Sequence, residues 1–302
     1  MNKRYSSSVP FFKWRNMEKY IIENIDSFEP DHIFKCGQAF RWFEEEDGSF
    51  TDVAHNKVIN VKREGKDIVI NNCTKEDYEN IWKDYFDLNR DYNNLKNILK
   101  ENDTTLSKCI DYGHGIRILN QEPFEMIITF IISANNQIPR IQKAVNEISK
   151  MYGKKLEFNN KTYYAFPKPE ELAQVKAEDL REFAKVGFRD KRIVEAANMI
   201  NNGEIDFDIL FNGDLEEARK ELMKLPGVGP KVADCCLLFA FKRSESFPVD
   251  VWIKRVMEEL YLHEDTNKNK IADEGRRLFG DLAGFAQQYL FFYGRENKLG
   301  SK

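Results

Sequence analysis

Lys231 lies in a segment whose residue types could support covalent chemistry. The segment, Leu225 to Cys235, contains Gly227 and Gly229 and then a proline directly before the lysine. Two glycines permit a tight turn with uncovered N–H groups, which together with the positive end of a following helix could bind a phosphate. That helix end disfavours an ammonium ion, and a lysine destabilised in this way suits an amine nucleophile. A turn between two helices without any ligand explains the glycines equally well, but it does not explain the lysine.

Two further residues could act with this lysine. Asp250 follows Pro248 at the start of an amphipathic helix, where it is a suitable N-cap and where helix N–H groups would also keep its carboxylate ionised. A carboxylate beside Lys231 could take up its proton and stabilise a positively charged sugar. Cys235 is four residues after Lys231 and shares its helix face, so it could line the same pocket, although a helical cysteine is usually a small core residue.

The elements that position these groups fall into two classes along the chain. Short β-prone runs with turn residues between them are found at 40–43, 50–53, 58–61 and 68–70, which predicts an antiparallel meander. A helix-prone stretch covers 75–108. From about residue 112 the apolar spacing is helical, in stretches at 124–133, 138–151, 169–184, 189–202, 215–224, 230–241 and 270–292. We therefore predict an α+β protein with a small antiparallel-sheet lobe, residues 1–107, followed by an all-helical lobe, residues 108–302.

Composition limits the classes of function. The 302 residues contain five cysteines without a Cys-x-x-Cys spacing and four histidines without a metal-ligand spacing, so we expect no cofactor, no structural zinc and no four-cysteine iron–sulfur cluster. No apolar run is long enough to span a membrane, and the basic segment 1–15 is interpreted as a loose arm, so the cytoplasm is the expected location. The net charge of −4 alone would favour a small-molecule enzyme, but it does not describe how charge is distributed.

The segment Leu225 to Cys235, followed by Pro248-Val249-Asp250, resembles the helix–hairpin–helix DNA glycosylase superfamily, and more narrowly its eukaryotic-type 8-oxoguanine DNA glycosylase/lyases. The resemblance implies a DNA-binding cleft between a sheet lobe and a helix–hairpin–helix glycosylase lobe. It implies a monomer that flips 8-oxoguanine out of double-stranded DNA, where the lesion is opposite cytosine, with the damaged base excised during base excision repair. Lys231 would be the nucleophile that forms a Schiff base, and Asp250 its electrostatic partner, giving both glycosylase and abasic-site lyase activities.

The resemblance also assigns residues to the damaged base. Cys36-Gly37-Gln38 with the following residues to Trp42 is similar to a motif in which the glycine carbonyl accepts a hydrogen bond from the N7–H of 8-oxoguanine. Gly284 to Phe291 resembles the base-recognition helix, with Gln287 reading the Watson–Crick edge and Phe291 stacking on the purine opposite Cys235. Pro248 completes the expected substrate pocket.

A further set of residues is implied to contact the rest of the DNA. Asn135 would fill the gap that the flipped nucleotide leaves, Arg140 and Arg189 would contact the unpaired cytosine, and Phe188 would act as a wedge in the position where the family usually has tyrosine. The other expected DNA contacts are Asn136, Gly227, Gly229 and Trp252. A helix N-cap is the alternative interpretation of the two asparagines. Trp252 stands where the family usually has a phosphate-binding histidine, and Gly294 replaces the acidic residue often paired with that histidine.

Several alternatives remain. Glycosylases that remove alkylated bases lack the hairpin lysine, and the branches that remove thymine glycol or adenine usually carry iron–sulfur cysteines. A non-catalytic helix–hairpin–helix module that binds only the DNA backbone explains the glycines but leaves Lys231, Asp250, Gln287 and Phe291 without a role. A metabolic enzyme lacks support because no nucleotide-binding loop or catalytic triad is found.

Overall fold

The first lobe is built on a five-stranded antiparallel sheet. The computed structural model describes residues 18–101 and 103–300, so the basic segment 1–15 lies outside the described residues. The strands are β1 (Lys19–Ile22), β2 (Phe43–Glu44), β3 (Phe50–Ala54), β4 (Lys57–Glu64) and β5 (Asp67–Asn71), in the spatial order β1-β5-β4-β3-β2. The turn at His55-Asn56 has positive φ at both residues, which suits a tight hairpin between β3 and β4.

Helices make up most of the described chain, and they form the second lobe together with one strand hairpin. The helices of the described chain are α1 (Pro30–Phe34), α2 (Lys75–Asp77), α3 (Lys83–Tyr85), α4 (Tyr92–Glu101), α5 (Thr104–Tyr112), α6 (Pro123–Ser133), α7 (Ile138–Tyr152), α8 (Pro169–Leu172), α9 (Ala177–Glu182), α10 (Asp190–Asn201), α11 (Phe207–Asn212), α12 (Leu215–Leu222), α13 (Pro230–Ala240), α14 (Val251–Met257), α15 (Lys268–Phe279) and α16 (Ala283–Glu296). A π-turn at Tyr78–Trp82 joins α2 to α3, and a second one at Glu258–Leu262 extends α14. None of the helices in these residues is long and apolar enough to cross a membrane.

The fold class is confirmed, with one addition to the predicted all-helical lobe. Strands β6 (Lys155–Phe158) and β7 (Lys161–Tyr164) pair as an antiparallel hairpin between α7 and α8. Its turn is Asn159-Asn160, where both residues have positive φ, as a two-residue hairpin turn of this kind requires. The predicted helical stretches at 169–184 and 270–292 are each divided in two. In the second one the chain is interrupted at Gly280, whose φ is +53°.

The strand predicted at 40–43 is wrong for its first three residues. Phe40 is buried in the core of the helical lobe and Trp42 in the core under the sheet, so the chain crosses between two cores here rather than running along one sheet. The Arg41 guanidinium between them donates to the carbonyls of Val53 and Tyr164.

The start of α6 lies against the sheet through a buried charge cluster. Arg41 lies 3.5 Å from the Glu125 carboxylate of α6, and Asp52 of β3 lies in the same cluster. Burial raises the pKa of Asp52 to about 7 and that of Glu125 to about 8, against the opposing effect of Arg41. The contact fixes the position of α6, which packs on α13, relative to the sheet.

Candidate active site

Helix α13 begins with the glycine turn that the sequence predicts. Gly227 has a φ of +89°, and the Val228 N–H donates to the Leu225 carbonyl, which closes the turn. Gly229 is the N-cap in an extended conformation and Pro230 occupies the first helical position. No side chain caps these first N–H groups, and a Cβ built on Gly229 would meet no atom within 4 Å. The helix therefore presents uncapped N–H groups to open space, as an anion site requires.

Lys231 lies in the first turn of this helix, against an aromatic ring. Its Nζ is 5.1 Å from the centroid of Phe130, a residue of α6 that the sequence did not single out. Phe130 also packs edge-on against Phe40 at 5.8 Å, so one ring connects the lysine with the segment that follows Gly37. The amine keeps a contact with the π-face while it remains within reach of a ligand.

Cys235 is buried within electrostatic range of the two groups expected to do chemistry. Its thiol is buried, and burial raises its pKa to about 11, with the Lys231 charge opposing that shift and the Asp250 charge adding to it. Lys231 and Asp250 thus both lie within electrostatic range of the Cys235 thiol, although they are 19 positions apart in the sequence.

Asp250 caps helix α14, as predicted. Its Oδ1 accepts a hydrogen bond of 2.8 Å from the Ile253 N–H, and its side chain is only partly buried. Pro248 and Val249 directly before it are buried, which fixes the direction in which the carboxylate leaves the chain. Capping and a catalytic role are compatible here, because the second carboxylate oxygen is left for other contacts.

Gly37 lies against the ring of Phe291 on helix α16. Gly37 has a φ of +79°, and a Cβ built on it would lie 3.0 Å from Phe291 Cε1. The turn is held from behind by Gln288, whose Nε2 donates to the Cys36 carbonyl at 2.8 Å, and by Gln38, whose amide binds Ile33, Arg117 and Leu119. Glycine is needed here both for the positive φ and for the close approach of the ring.

Gln287 on the same helix is buried with an unused acceptor. The residue is 5% exposed, and its Oε1 has no hydrogen-bond partner. A buried amide oxygen without a partner costs free energy unless a ligand satisfies it. The adjacent Gln288 differs, because its Nε2 donates a hydrogen bond to the Cys36 carbonyl.

The loop after α6 is held by Arg189. Asn135 has a φ of +51° and an exposed side chain, whereas Asn136 donates back to the Ile132 carbonyl. The alternative interpretation of the two asparagines as a helix N-cap is wrong, since Gln137 is the N-cap of α7. Arg189 is 7% exposed, and its guanidinium donates to the backbone carbonyls of Ala134 and Asn135. In this structure Arg189 therefore supports the loop, while Arg140 is exposed in the first turn of α7.

Phe188 stands out from the surface beside the glycine turn. Its ring is 58% exposed and has the guanidinium groups of Arg189 and Arg192 at 4.4 and 5.3 Å from its centroid. Arg192 reaches from this ring to Gly227, where a built Cβ would lie 3.0 Å from Arg192 Cδ. Sequence reasoning missed Arg192. It places a cation between the expected wedge and the expected phosphate site.

Trp252 is on α14 and Gly294 is on α16, and these two helices pack against each other. Trp252 is partly buried, with the Arg255 guanidinium 5.2 Å from its ring. A Cβ on Gly294 would lie 2.1 Å from Val256 Cγ2, so the two helices approach too closely for an acidic side chain at this position. The histidine and the acidic residue that the family usually has at these two positions are absent, and Gly294 allows the two helices to pack closely.

The chain matches sequence profiles of DNA repair proteins over most of its length. Residues 20–127 match the N-terminal domain of 8-oxoguanine DNA glycosylase, and residues 128–280 match the HhH-GPD superfamily of base excision DNA repair proteins. This chain belongs to that superfamily.

Individual relatives agree with this membership. A probable N-glycosylase/DNA lyase of Methanothermobacter thermautotrophicus is 33% identical over 71% of this chain and 74% of that protein. The N-glycosylase/DNA lyase of Saccharomyces cerevisiae is 30% identical over 80% of this chain and 70% of its own length. Among solved structures, the 8-oxoguanine glycosylase/lyase of Clostridium acetobutylicum, bound to double-stranded DNA with cytosine opposite 8-oxoguanine, is 45% identical with a TM-score of 0.90, covering 94% of this chain and 98% of that one.

Proposed function

We propose that this protein is an 8-oxoguanine DNA glycosylase with abasic-site lyase activity, acting in base excision repair. The observation that carries the proposal is that Lys231, in the first turn of α13, and Asp250, the cap of α14, both act electrostatically on the buried Cys235 thiol, in a chain of this superfamily. A non-catalytic module that binds only DNA backbone has no use for an amine and a carboxylate gathered from two separate helices.

The chemistry assigned to these groups is covalent. The neutral Lys231 amine attacks C1′ of the flipped nucleotide, the N-glycosidic bond breaks, and its electron pair leaves with the purine, which takes up a proton. Asp250 stabilises the positive charge that develops on the sugar. Opening of the sugar ring gives a Schiff base between Lys231 and C1′. Loss of a C2′ proton then expels the 3′-phosphate, and hydrolysis of the remaining imine restores the amine.

The selectivity for the damaged base is assigned to the residues on both sides of the Gly37 turn. Phe291 offers its ring for stacking, and the Gln287 amide offers a buried acceptor without a partner to the Watson–Crick edge of a purine. A site with such an acceptor rejects analogues that leave it unpaired. The Gly37 carbonyl is assigned to the N7–H that distinguishes 8-oxoguanine from guanine, with Cys235 and Pro248 as the remaining pocket lining.

Double-stranded DNA is assigned to the surface that carries Phe188 and the hairpin. The exposed ring enters the base stack, the uncapped N–H groups after Gly227 and Gly229 bind a phosphate, and Asn135 and Arg140 contact the strand opposite the lesion. Asn136, Arg189 and Trp252 remain predicted DNA contacts. We further propose that the protein acts as a monomer in the cytoplasm on the nucleoid, and the boundary between its two lobes near residue 107 stays a prediction.

Base release under single-turnover conditions tests the proposed function. The protein is expected to release 8-oxoguanine from a duplex with cytosine opposite the lesion, and to leave guanine at the same position intact. Gln287→Ala should lose most of this discrimination, while its affinity for undamaged duplex stays unchanged. Binding to duplexes without release of any base would instead support the non-catalytic module.

A further inference from the structure

Arg295 lies one helical turn after Phe291 on α16 and covers its ring. The guanidinium carbon is 5.3 Å from the Phe291 centroid and 5.9 Å from that of Phe292. The side chain is only 16% exposed, although the residue is close to the C-terminal end of its helix. A guanidinium that lies over an aromatic face restrains the ring and is itself partly desolvated.

The same guanidinium is bound to the chain on the other side of the pocket. Arg295 Nη2 donates to the Lys35 carbonyl at 2.5 Å, across 260 positions of sequence. A Cβ built on Gly37 would lie 3.4 Å from Arg295 Nη1, as well as 3.0 Å from the Phe291 ring. Glu296 accepts from Nε and Nη2, which fixes the plane of the guanidinium.

We infer that Arg295 is a positioning residue for recognition of the flipped base, because it joins the Gly37 turn to the Phe291 ring. This inference rests on the proposed function. Gly37 and Phe291 belong to segments that are far apart in sequence, and their separation sets the space available to a purine edge. Helix α16 holds this turn through two polar contacts, one from Gln288 to Cys36 and one from Arg295 to Lys35, and only Arg295 also contacts the stacking ring.

The inferred role predicts a selective defect. Without the guanidinium, the turn and the ring lose their common partner, so a base is held less well in the geometry for attack at C1′. Steps that follow base release do not use this contact, because an abasic site offers nothing to stack on Phe291. Arg295 should therefore affect excision of the base far more than cleavage at a preformed abasic site.

The test compares Arg295→Met and Arg295→Lys with the unmodified protein in two single-turnover assays, one on duplex with 8-oxoguanine opposite cytosine and one on duplex with an abasic site. Arg295→Met keeps the apolar stem, and its excision rate should fall about tenfold, as the loss of a charged hydrogen bond predicts. Its rate on the abasic site should stay within about twofold, because the pocket is not used. Arg295→Lys retains a donor for the Lys35 carbonyl and should recover part of the excision rate.

Arg277→Met is the matched control, since Arg277 pairs with Glu274 on the surface of α15 and its side chain is 68% exposed. It should leave both rates unchanged. Unchanged excision in Arg295→Met, or an equal loss of both activities with a lowered melting temperature, would overturn the inference. If the unmodified protein released no 8-oxoguanine but bound DNA, the proposed function would fail instead, so the two failures are distinguishable.

Discussion

Lys231 and Cys235 lie one turn apart on α13, and Lys231 is close enough to the buried Cys235 thiol for its charge to oppose the rise of the thiol pKa. Of these two potential nucleophiles, the thiol is poorly suited to attack at neutral pH. Burial raises the pKa of the Cys235 thiol to about 11, so the thiol is protonated below that pH and becomes a thiolate only above it. A neutral, buried thiol is a poor nucleophile, which leaves a packing and pocket-lining role for this cysteine.

Cys235→Ala is therefore expected to keep covalent chemistry with DNA. Excision should slow by no more than about tenfold, because a contact to the base is lost but the nucleophile is retained. The rate of the unmodified protein, measured from pH 7 to pH 9, should show no step from thiol ionisation. Complete loss of base release in Cys235→Ala, with the protein still folded, would assign the nucleophile to the thiol.

Asp250→Asn separates capping from catalysis. Asparagine caps a helix about as well as aspartate, so the free energy of unfolding should change by less than about 0.5 kcal/mol. Excision should fall about 100-fold or more, because a neutral amide does not stabilise a positively charged sugar, whereas the dissociation constant for lesion-containing DNA stays similar. Asp214→Asn is the control, since Asp214 caps α12 through the same hydrogen bond to the third helical N–H. Equal losses in both variants would contradict the catalytic role.

Gly37→Ala and Gly48→Ala together separate the effect of the close approach between Gly37 and Phe291 from the effect of backbone strain. Gly48 has nearly the same φ, +76° against +79°, but a Cβ there would meet no atom within 4 Å. Both alanine variants should lose about 1 kcal/mol of stability through the positive φ. Only Gly37→Ala displaces the ring, so only it should lose excision. Activity retained in both variants would show that the contact between the turn and the ring is dispensable.

Arg140→Ala and Arg189→Ala are expected to differ. Arg140 is exposed, so its loss should reduce the preference for cytosine opposite the lesion without a change in melting temperature. Arg189 is buried and binds the carbonyls of Ala134 and Asn135, so its loss should also lower the free energy of unfolding by about 2 kcal/mol. The comparison uses excision rates on duplexes with each of the four bases opposite 8-oxoguanine. An unchanged profile for Arg140→Ala would remove that residue from the opposite-base contact.

The fold class was predictable because the relevant patterns are local. The β-prone runs and their turns predicted strands β3, β4 and β5. Apolar residues spaced three to four positions apart predicted most of the helices. The first strand, Lys19–Ile22, was not predicted because it is short and pairs with β5, nearly fifty residues later in the sequence. The hairpin at Asn159-Asn160 did have a sequence signal, since two asparagines in succession are typical of a two-residue turn with positive φ.

The candidate site was predictable where one motif carries it and unpredictable where distant segments meet. The glycine turn, Pro230 and the cap at Asp250 follow from local rules. The contact of Arg295 with the Lys35 carbonyl and the position of Phe130 under Lys231 depend on packing between helices. Arg189 stays a predicted DNA contact, but its burial could not be predicted because it depends on two carbonyls of a loop more than fifty residues earlier.

Borohydride trapping on a duplex with 8-oxoguanine opposite cytosine tests the central claim most directly. The unmodified protein should form a covalent adduct with the DNA, because reduction fixes the Schiff base between an amine and C1′. Lys231→Gln should form none while it still binds the duplex, and Lys224→Gln, a matched change at an exposed lysine in the same region, should trap as well as the unmodified protein. An adduct of undiminished yield with Lys231→Gln would contradict the assignment of Lys231 as the nucleophile.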